Sequence, residues 1–214
     1  SSHTFKWVNA EGESFYVKYH FKTDQGIKNM TAEEAHKMKS ENPDYATQDL
    51  FDAIERKDFP SWTFKVQIMP EADAATYKWD VFDITKIWPH SDYPLIEVGK
   101  LTLNRNPKNY FAETEQSAFS PSHFVPGIEA SNDRMLQGRL FSYPDTHRHR
   151  LGPNYHTIPI NCPYRVNTRD YTLAGVHTAE HEGTSKQAYQ GNFNDAPKET
   201  PEAEAKRFAL DGEA

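Results

Sequence analysis

Apolar and polar positions alternate along much of the first hundred residues, which is the pattern of half-buried β-strands. In residues 14–21, Phe15, Val17, Tyr19 and Phe21 alternate with polar or aromatic neighbours. Similar alternation predicts strands in "TFKWV", "SWTFKVQIM", "TYKWDVFDI" and "LIEVGKLTL". The turn-rich segment "NAEGE" connects the first two strands into a hairpin. We therefore predict about five antiparallel strands, and since open sheet edges need covering, we expect part of a β-barrel whose other strands lie outside this chain.

Two helical segments interrupt these strands. "TAEEAHKMK" opens with Thr31 and has Glu34 three residues later, which is the signature of a capping box. "TQDLFDAIERK" then repeats apolar residues at helical spacing. The predicted class is therefore α+β.

The domain organisation follows from where the periodicity stops. We predict that residues 1–103 form the second part of the barrel with its helical insertion. Residues 104–130 contain three prolines and little periodicity, which indicates a long connection that makes contacts. A connecting segment is predicted at 104–175, with a helix at 132–150, followed by a polar tail at 176–214. A family resemblance carried by the motifs below implies that the connecting segment wraps and that the tail leads toward a C-terminal helical domain.

Composition excludes several classes of protein. The chain has 36% hydrophobic and 13% aromatic residues, so it is poor in apolar residues without being disordered throughout. Its net charge of −7 argues against nucleic acid as a partner. The single cysteine, Cys162, fits a reducing compartment, and no apolar run reaches membrane-spanning length. The chain lacks an initiator Met and reads as a piece of a longer protein.

The stretch "RLFSYPDTHRHR" gathers unusual chemistry. If it is helical, with Ser131 or Asn132 as the cap, one face carries residues at steps of four. Pro144 would bend this helix beside its tyrosine. A guanidinium one turn from a phenol favours the phenolate, which is a ligand suited to Fe(III). The alternative is an amphipathic helix with a charged, solvated face. The residues on the candidate face are Met135, Arg139, Tyr143 and His147, with Arg150 three positions further.

"RLFSYPDTH" resembles the proximal haem-ligand signature of the haem catalases, and "RHRLGPNYHTIPINCPY" continues the resemblance. Further segments agree along nearly the whole chain, among them "SHTFKWVNAEGE", "FKTDQGIKN", "WPHSDYPLIEVGKLTLNRNPKNYFAE" and "EQSAFSPSHFVPGIE". The resemblance is to the small-subunit, NADPH-binding type. It implies the catalase fold, haem b as cofactor and a homotetramer.

For the haem, the resemblance implies roles residue by residue. Tyr143 would be the axial iron ligand, as in catalases generally, and Arg139 would hold it as phenolate. Arg150 would pair with a haem propionate, and His147 would lie beside the porphyrin. The remaining implied haem contacts are Met135, Phe119, Ser2, His3 and Ile84, the last standing where the family has leucine.

For NADPH, the resemblance implies contacts from Lys22, Trp88 and His90. The alternative for these three is an exposed lysine and a Trp–His corner with a purely structural role.

The implied activity is disproportionation of hydrogen peroxide to water and dioxygen through an oxyferryl haem intermediate. The family's distal His and Asn lie upstream of the matched segments, so we expect the isolated 214-residue chain to be inactive. The expected location is the cytoplasm, or the peroxisome in a eukaryote.

Two other functions stay open. A catalase-like haem protein could rearrange other peroxides or only bind haem. More remotely, His177, Glu180 and His181 fit the H-x-x-E-H pattern of zinc peptidases.

Overall fold

The computed structural model describes residues 2–161, which form five strands and several helices. By its contacts the chain divides into two units, Ser1–Thr146 and His147–Ala214, which are described separately below. Strands are β1 (Phe5–Val8), β2 (Ser14–Thr23), β3 (Ser61–Pro70), β4 (Ile96–Thr102) and β5 (Ile128–Ala130). Helices are α1 (Ala32–Glu41), α2 (Tyr45–Glu55), α3 (Glu71–Ala74) and α4 (Arg134–Leu151), with a π-helical turn at Phe111–Glu115 and a 3-10 turn at Tyr155–Thr157.

The strands form one sheet in the order β4-β3-β2-β1-β5, and every pairing is antiparallel. This confirms the predicted α+β class, with α1 and α2 inserted between β2 and β3. The predicted hairpin is also confirmed, since Trp7 pairs with Phe15 and Phe5 with Val17. Because paired residues share a face, these four side chains belong to the apolar face of the sheet.

The buried cluster lies on the opposite face. Tyr16 of β2 and Met69 of β3 pair across the sheet and meet Val81 and Trp88 from the segment between α3 and β4. That segment therefore covers the more polar face of the sheet, and it brings Trp88 against the strands that carry the lysines and histidines discussed below.

One predicted strand is wrong. "TYKWDVFDI", residues 76–84, forms turns instead of a strand. Asp80 accepts a hydrogen bond from the Phe82 N–H at 2.8 Å, and Asp83 accepts one from the Thr85 N–H at 2.8 Å. Aspartate side chains that bond the backbone two residues on favour turns over extended chain. Apolar and polar residues do alternate in this segment, but the hydrogen bonds between its aspartate side chains and the backbone favour turns more strongly than the alternation favours a strand.

The fifth strand instead comes from the segment predicted as a connection. β5 pairs with β1, and Gly127 directly before it accepts a hydrogen bond from the Val8 N–H at 3.0 Å. Gly127 has φ +89°, and a Cβ there would lie 3.3 Å from the Val8 carbonyl oxygen. Glycine suits this position because it tolerates positive φ and close backbone approach.

The capping box of α1 is confirmed. The Glu34 N–H donates to Thr31 Oγ1 at 3.3 Å, and Glu34 Oε2 accepts from the Thr31 N–H at 2.8 Å. The predicted domain boundary at 103/104 falls just after β4, which ends at Thr102, and it stays a prediction. The boundary at 175/176 lies outside the described residues.

Candidate functional site

The helix that carries the candidate tyrosine begins at a buried aspartate. Asp133 Oδ1 accepts from the Leu136 N–H at 2.9 Å, and its carbonyl accepts from the Gln137 N–H at 2.9 Å, so Asp133 is the N-cap of α4. The expectation of Ser131 or Asn132 as the cap is wrong. Ser131 instead bonds backbone: its hydroxyl donates to the Thr4 carbonyl and accepts from the Asp133 N–H.

His3 meets this cap. Its Nδ1 lies 2.6 Å from Asp133 Oδ2, and Asp133 is only 1% exposed. One carboxylate therefore caps the start of α4 with one oxygen and holds His3, two residues before β1, with the other. This role of Asp133 is not predicted from the sequence, because its partner His3 lies 130 residues away.

Arg139 and Tyr143 are brought together on α4. The Arg139 Nη2 donates to the Tyr143 hydroxyl oxygen at 2.9 Å, and its guanidinium carbon lies 5.0 Å from the centre of the tyrosine ring. Both side chains are half-buried. Pro144 follows within the continuous helix, and the bend expected there stays a prediction. The arrangement places a charged hydrogen-bond donor directly at the tyrosine oxygen.

Two apolar residues predicted to contact haem are exposed. Met135, one turn before Arg139 on α4, is 55% exposed, and Phe119 in the connection after the π-helical turn is 83% exposed. Large apolar side chains with this exposure are available to contact an apolar ligand or partner.

In the second unit, His147 is buried and its ring centre lies 5.6 Å from that of Tyr155. The exposed Arg150 has its Nη2 at 3.5 Å from His147 Nδ1. Arginine only donates, so Nδ1 is the accepting nitrogen in this long contact. Tyr155, 1% exposed, lies beyond the end of α4, so the helical spacing does not predict it as a neighbour of His147.

The remaining predicted contacts line one cavity of about 570 Å³. It combines the three residues predicted for NADPH with Ser2 and Ile84, which were predicted for haem. Among the described residues, its lining does not include Arg139 or Tyr143. The full lining is Ser2, Lys18, His20, Lys22, Gln67, Ile84, Lys86, Ile87, Trp88, Pro89 and His90.

This cavity is rich in cations. Lys18 is only 4% exposed; its Nζ donates to the Lys86 carbonyl at 3.1 Å and lies 5.0 Å over the Trp88 ring. Burial lowers the pKa of Lys18. Trp88 is buried, and its indole N–H has no hydrogen-bond partner among the described residues. An unpaired buried donor is uncommon and points to an acceptor supplied by a ligand or water.

The remaining candidate features are a metal site, a membrane-spanning helix and the zinc-peptidase residues. Among residues 2–161, no group of three or more His, Cys, Asp or Glu is arranged to hold a metal ion. No helix in that same range is long and apolar enough to cross a membrane. Cys162 and the zinc-peptidase residues His177, Glu180 and His181 lie outside the described residues.

Comparisons with known proteins agree with one another. The family model for catalase matches residues 1–196. The peroxisomal catalase of Toxoplasma gondii is 59% identical over 200 residues, which cover 92% of this chain and 40% of that protein. The catalase of Rattus norvegicus is 57% identical over 199 residues, covering 92% and 38%.

Solved structures show the same fold. Catalase A from Saccharomyces cerevisiae matches with a TM-score of 0.82 at 48% identity, over 95% of this chain and 41% of that one. A fungal catalase matches with a TM-score of 0.80 at 50% identity, over 92% and 41%. The chain spans about two fifths of the length of these relatives. With its antiparallel sheet, its inserted helices and the arginine-backed tyrosine of α4, this chain belongs to the catalase family.

Proposed function

We propose that the protein to which this chain belongs is a haem catalase, which converts two molecules of hydrogen peroxide to two of water and one of dioxygen. Within it, this chain supplies the tyrosinate that binds the haem iron. The observation that carries the proposal is the 2.9 Å contact from the Arg139 guanidinium to the Tyr143 oxygen. Membership of the catalase family supports it.

The residues present fit a haem group by their chemistry. A phenol whose oxygen receives an arginine N–H is suited to bind ferric iron as an anion. The exposed Met135 and Phe119 offer apolar surface to a porphyrin. Arg150 is exposed and offers a guanidinium to a propionate. We also propose His147, Ile84, Ser2 and His3 as haem contacts.

When bound, haem supplies a redox-active iron that accepts two oxidising equivalents from one peroxide and returns them to a second. The chain's own residues bind the haem and orient it. Tyr143 provides the oxygen that holds the iron, and Arg139 keeps a fixed positive charge at that oxygen.

The test is Tyr143→Phe in the full-length protein. Removing the oxygen should change the haem absorption spectrum and reduce oxygen evolution by several orders of magnitude, because the ligand and its charge are both lost. Tyr45→Phe, at the exposed start of α2, is the matched control and should change neither. An unchanged spectrum in Tyr143→Phe would show that Tyr143 is not the ligand.

The same assay separates the alternative of a catalase-like haem protein. That alternative predicts a tyrosinate haem spectrum without rapid oxygen evolution from peroxide. We also propose that the isolated 214-residue chain is inactive, since peroxide cleavage would additionally need proton transfer by an acid–base group. Oxygen evolution by the purified chain alone would contradict it.

For the cavity of about 570 Å³, we propose NADPH as the ligand. The observation that favours it is the buried, unpaired Trp88 indole N–H beside Lys22 and His90. Lysines and histidines attract phosphate oxygens, and an indole N–H can donate to one acceptor of a bound dinucleotide. Lys22→Gln should weaken NADPH binding, whereas Lys28→Gln, on the exposed loop before α1, should not.

A homotetramer, and a cytoplasmic or peroxisomal location, are likewise proposed for the whole protein. The Toxoplasma gondii relative bears the name of a peroxisomal catalase.

A further inference from the structure

Gln67 is a buried amide in β3 that lines the cavity and contacts three other residues, of which His20 and Trp88 also line it. It is 1% exposed. Its Nε2 donates to the Trp88 carbonyl at 3.0 Å and to the Tyr93 carbonyl at 2.6 Å. Its Oε1 lies 2.9 Å from His20 Nε2. Every hydrogen of the amide is thereby used, and its oxygen faces a ring nitrogen.

These contacts determine the state of His20. Backbone carbonyls only accept, so both amide hydrogens must point to Trp88 and Tyr93, and Oε1 is left to accept from His20. His20 Nε2 therefore carries a hydrogen, and Nδ1 is the nitrogen that gains a proton in acid. Gln67 thus selects the tautomer of a histidine that lines the cavity.

The charges around His20 are mostly positive. Lys22 follows it on β2, His90 lies with its ring centre 6.4 Å away, and Lys86 lines the same cavity. Opposite on β3 is Lys65, whose Nζ is 3.8 Å from Glu97 of β4. Burial lowers the pKa of His20, the Gln67 hydrogen bond raises it, and the charges of Lys22 and His90 lower it further.

We propose that Gln67 is a positioning residue for the ligand of this cavity. It fixes the turn from Trp88 to Tyr93 and the orientation of His20, so that the cavity is already shaped for a phosphate-bearing dinucleotide. The inference rests on the proposed NADPH site. Preformed sites bind more tightly because less ordering remains to be done on binding, and a buried amide with three bonds supplies that order here.

The test measures NADPH affinity of the full-length protein across pH 5 to 8 in two variants. Gln67→Met keeps the side-chain length but loses all three polar contacts, and Gln67→Glu keeps an acceptor for His20 but loses both donors. Each should weaken binding by about tenfold or more at neutral pH. Gln48→Met makes the same change at an exposed glutamine of α2, and it should bind as the unaltered protein does.

The pH profile supplies the readout that a merely structural role would not move. In the unaltered protein, affinity should rise in acid as His20 gains a charge that attracts phosphate. Gln67→Met removes the bond that raises the His20 pKa, so this rise should move to lower pH. Gln67→Glu adds a carboxylate beside the ring, so it should move to higher pH.

The outcomes are distinguishable. If the unaltered protein does not bind NADPH, both the proposed ligand and this inference are overturned. If the unaltered protein binds NADPH and both Gln67 variants bind it equally well, only the role of Gln67 is overturned. The same holds if both variants shift the acid rise in affinity in the same direction. Should the Gln67 variants not fold, His20→Asn serves instead: it should lose the acid rise, and a retained rise would contradict the inference.

Discussion

At Arg139 the chain sets a planar cation against both the oxygen and the ring of one tyrosine. The guanidinium donates to Tyr143 at 2.9 Å while its carbon lies 5.0 Å from the ring centre. Lysine cannot reproduce that combination, because its ammonium is a point charge without a planar fork. We therefore expect Arg139→Lys to keep part of the haem affinity and turnover of the full-length protein and Arg139→Met to keep little.

The size of this effect follows from the bond. A hydrogen bond to a charged group contributes about 1.5–3 kcal/mol, so Arg139→Met should cost roughly 10- to 100-fold in haem affinity or turnover. Haem titration and initial rates of oxygen evolution measure it. Arg134→Met, at the exposed first residue of the same helix, is the control. Equal values for Arg139→Met and the unaltered protein would rule out this role of Arg139.

Contacts between side chains differ in how well the sequence predicts them. Arg139 and Tyr143 are four apart on a helix, so their meeting follows from local geometry. His3 and Asp133 are 130 residues apart, and their contact needs β5 to bring the chain back beside β1 before α4 begins. Gln67 stands in a strand that reads as apolar alternation, and nothing local indicates that its amide would hold two distant carbonyls.

Among the elements, α1 depends on its ends more than on its packing. None of its residues is buried, so the capping box of Thr31 and Glu34 is its main local support. Thr31→Ala should destabilise α1 by about 1 kcal/mol, seen as faster hydrogen exchange of its backbone amides. Thr47→Ala, at an exposed position of α2, is the matched control and should not accelerate exchange, since alanine is the better helix former.

Acid should have the same effect on α1 as the mutation. The backbone N–H and hydroxyl of Thr31 hold the pKa of Glu34 below its usual value. Because the folded-state pKa is the lower one, the carboxylate stabilises α1 at neutral pH, and this support is lost as the pH falls through the lowered pKa. Exchange of α1 amides, corrected for intrinsic rates, should show this loss in the unaltered protein and little of it in Thr31→Ala.

The strands show where periodicity succeeds and where it fails. β2 and β3 are ten residues each, long enough for alternation to predict both strands. β5 has three residues, too few for a pattern, and its position depends on Gly127 and the edge of β1. In residues 76–84 alternation is present, but Asp80 and Asp83 close turns on their own backbone. Side-chain bonding of this kind is invisible to a count of apolar positions.

At the scale of the whole molecule, the long connection is one of the described parts of the chain that present apolar surface. Within residues 104–130, Tyr110 is 51% exposed, Phe111 61% and Phe119 83%. Soluble monomers seldom expose several large aromatic groups in one segment, and such segments commonly mark contact surfaces.

We therefore predict that the full-length protein is a homotetramer in which residues 104–130 contact a neighbouring copy. Light scattering after size exclusion should give four times the mass of one full-length polypeptide. Phe111→Ser should lower the apparent mass at micromolar concentration, because it removes an aromatic anchor. Ile27→Ser changes a residue that is 85% exposed beside the Gly26 turn, outside this segment, and should leave the mass unchanged. A monomeric unaltered protein would contradict the tetramer. A tetrameric Phe111→Ser variant that dissociates no more readily on dilution would instead place the interface elsewhere.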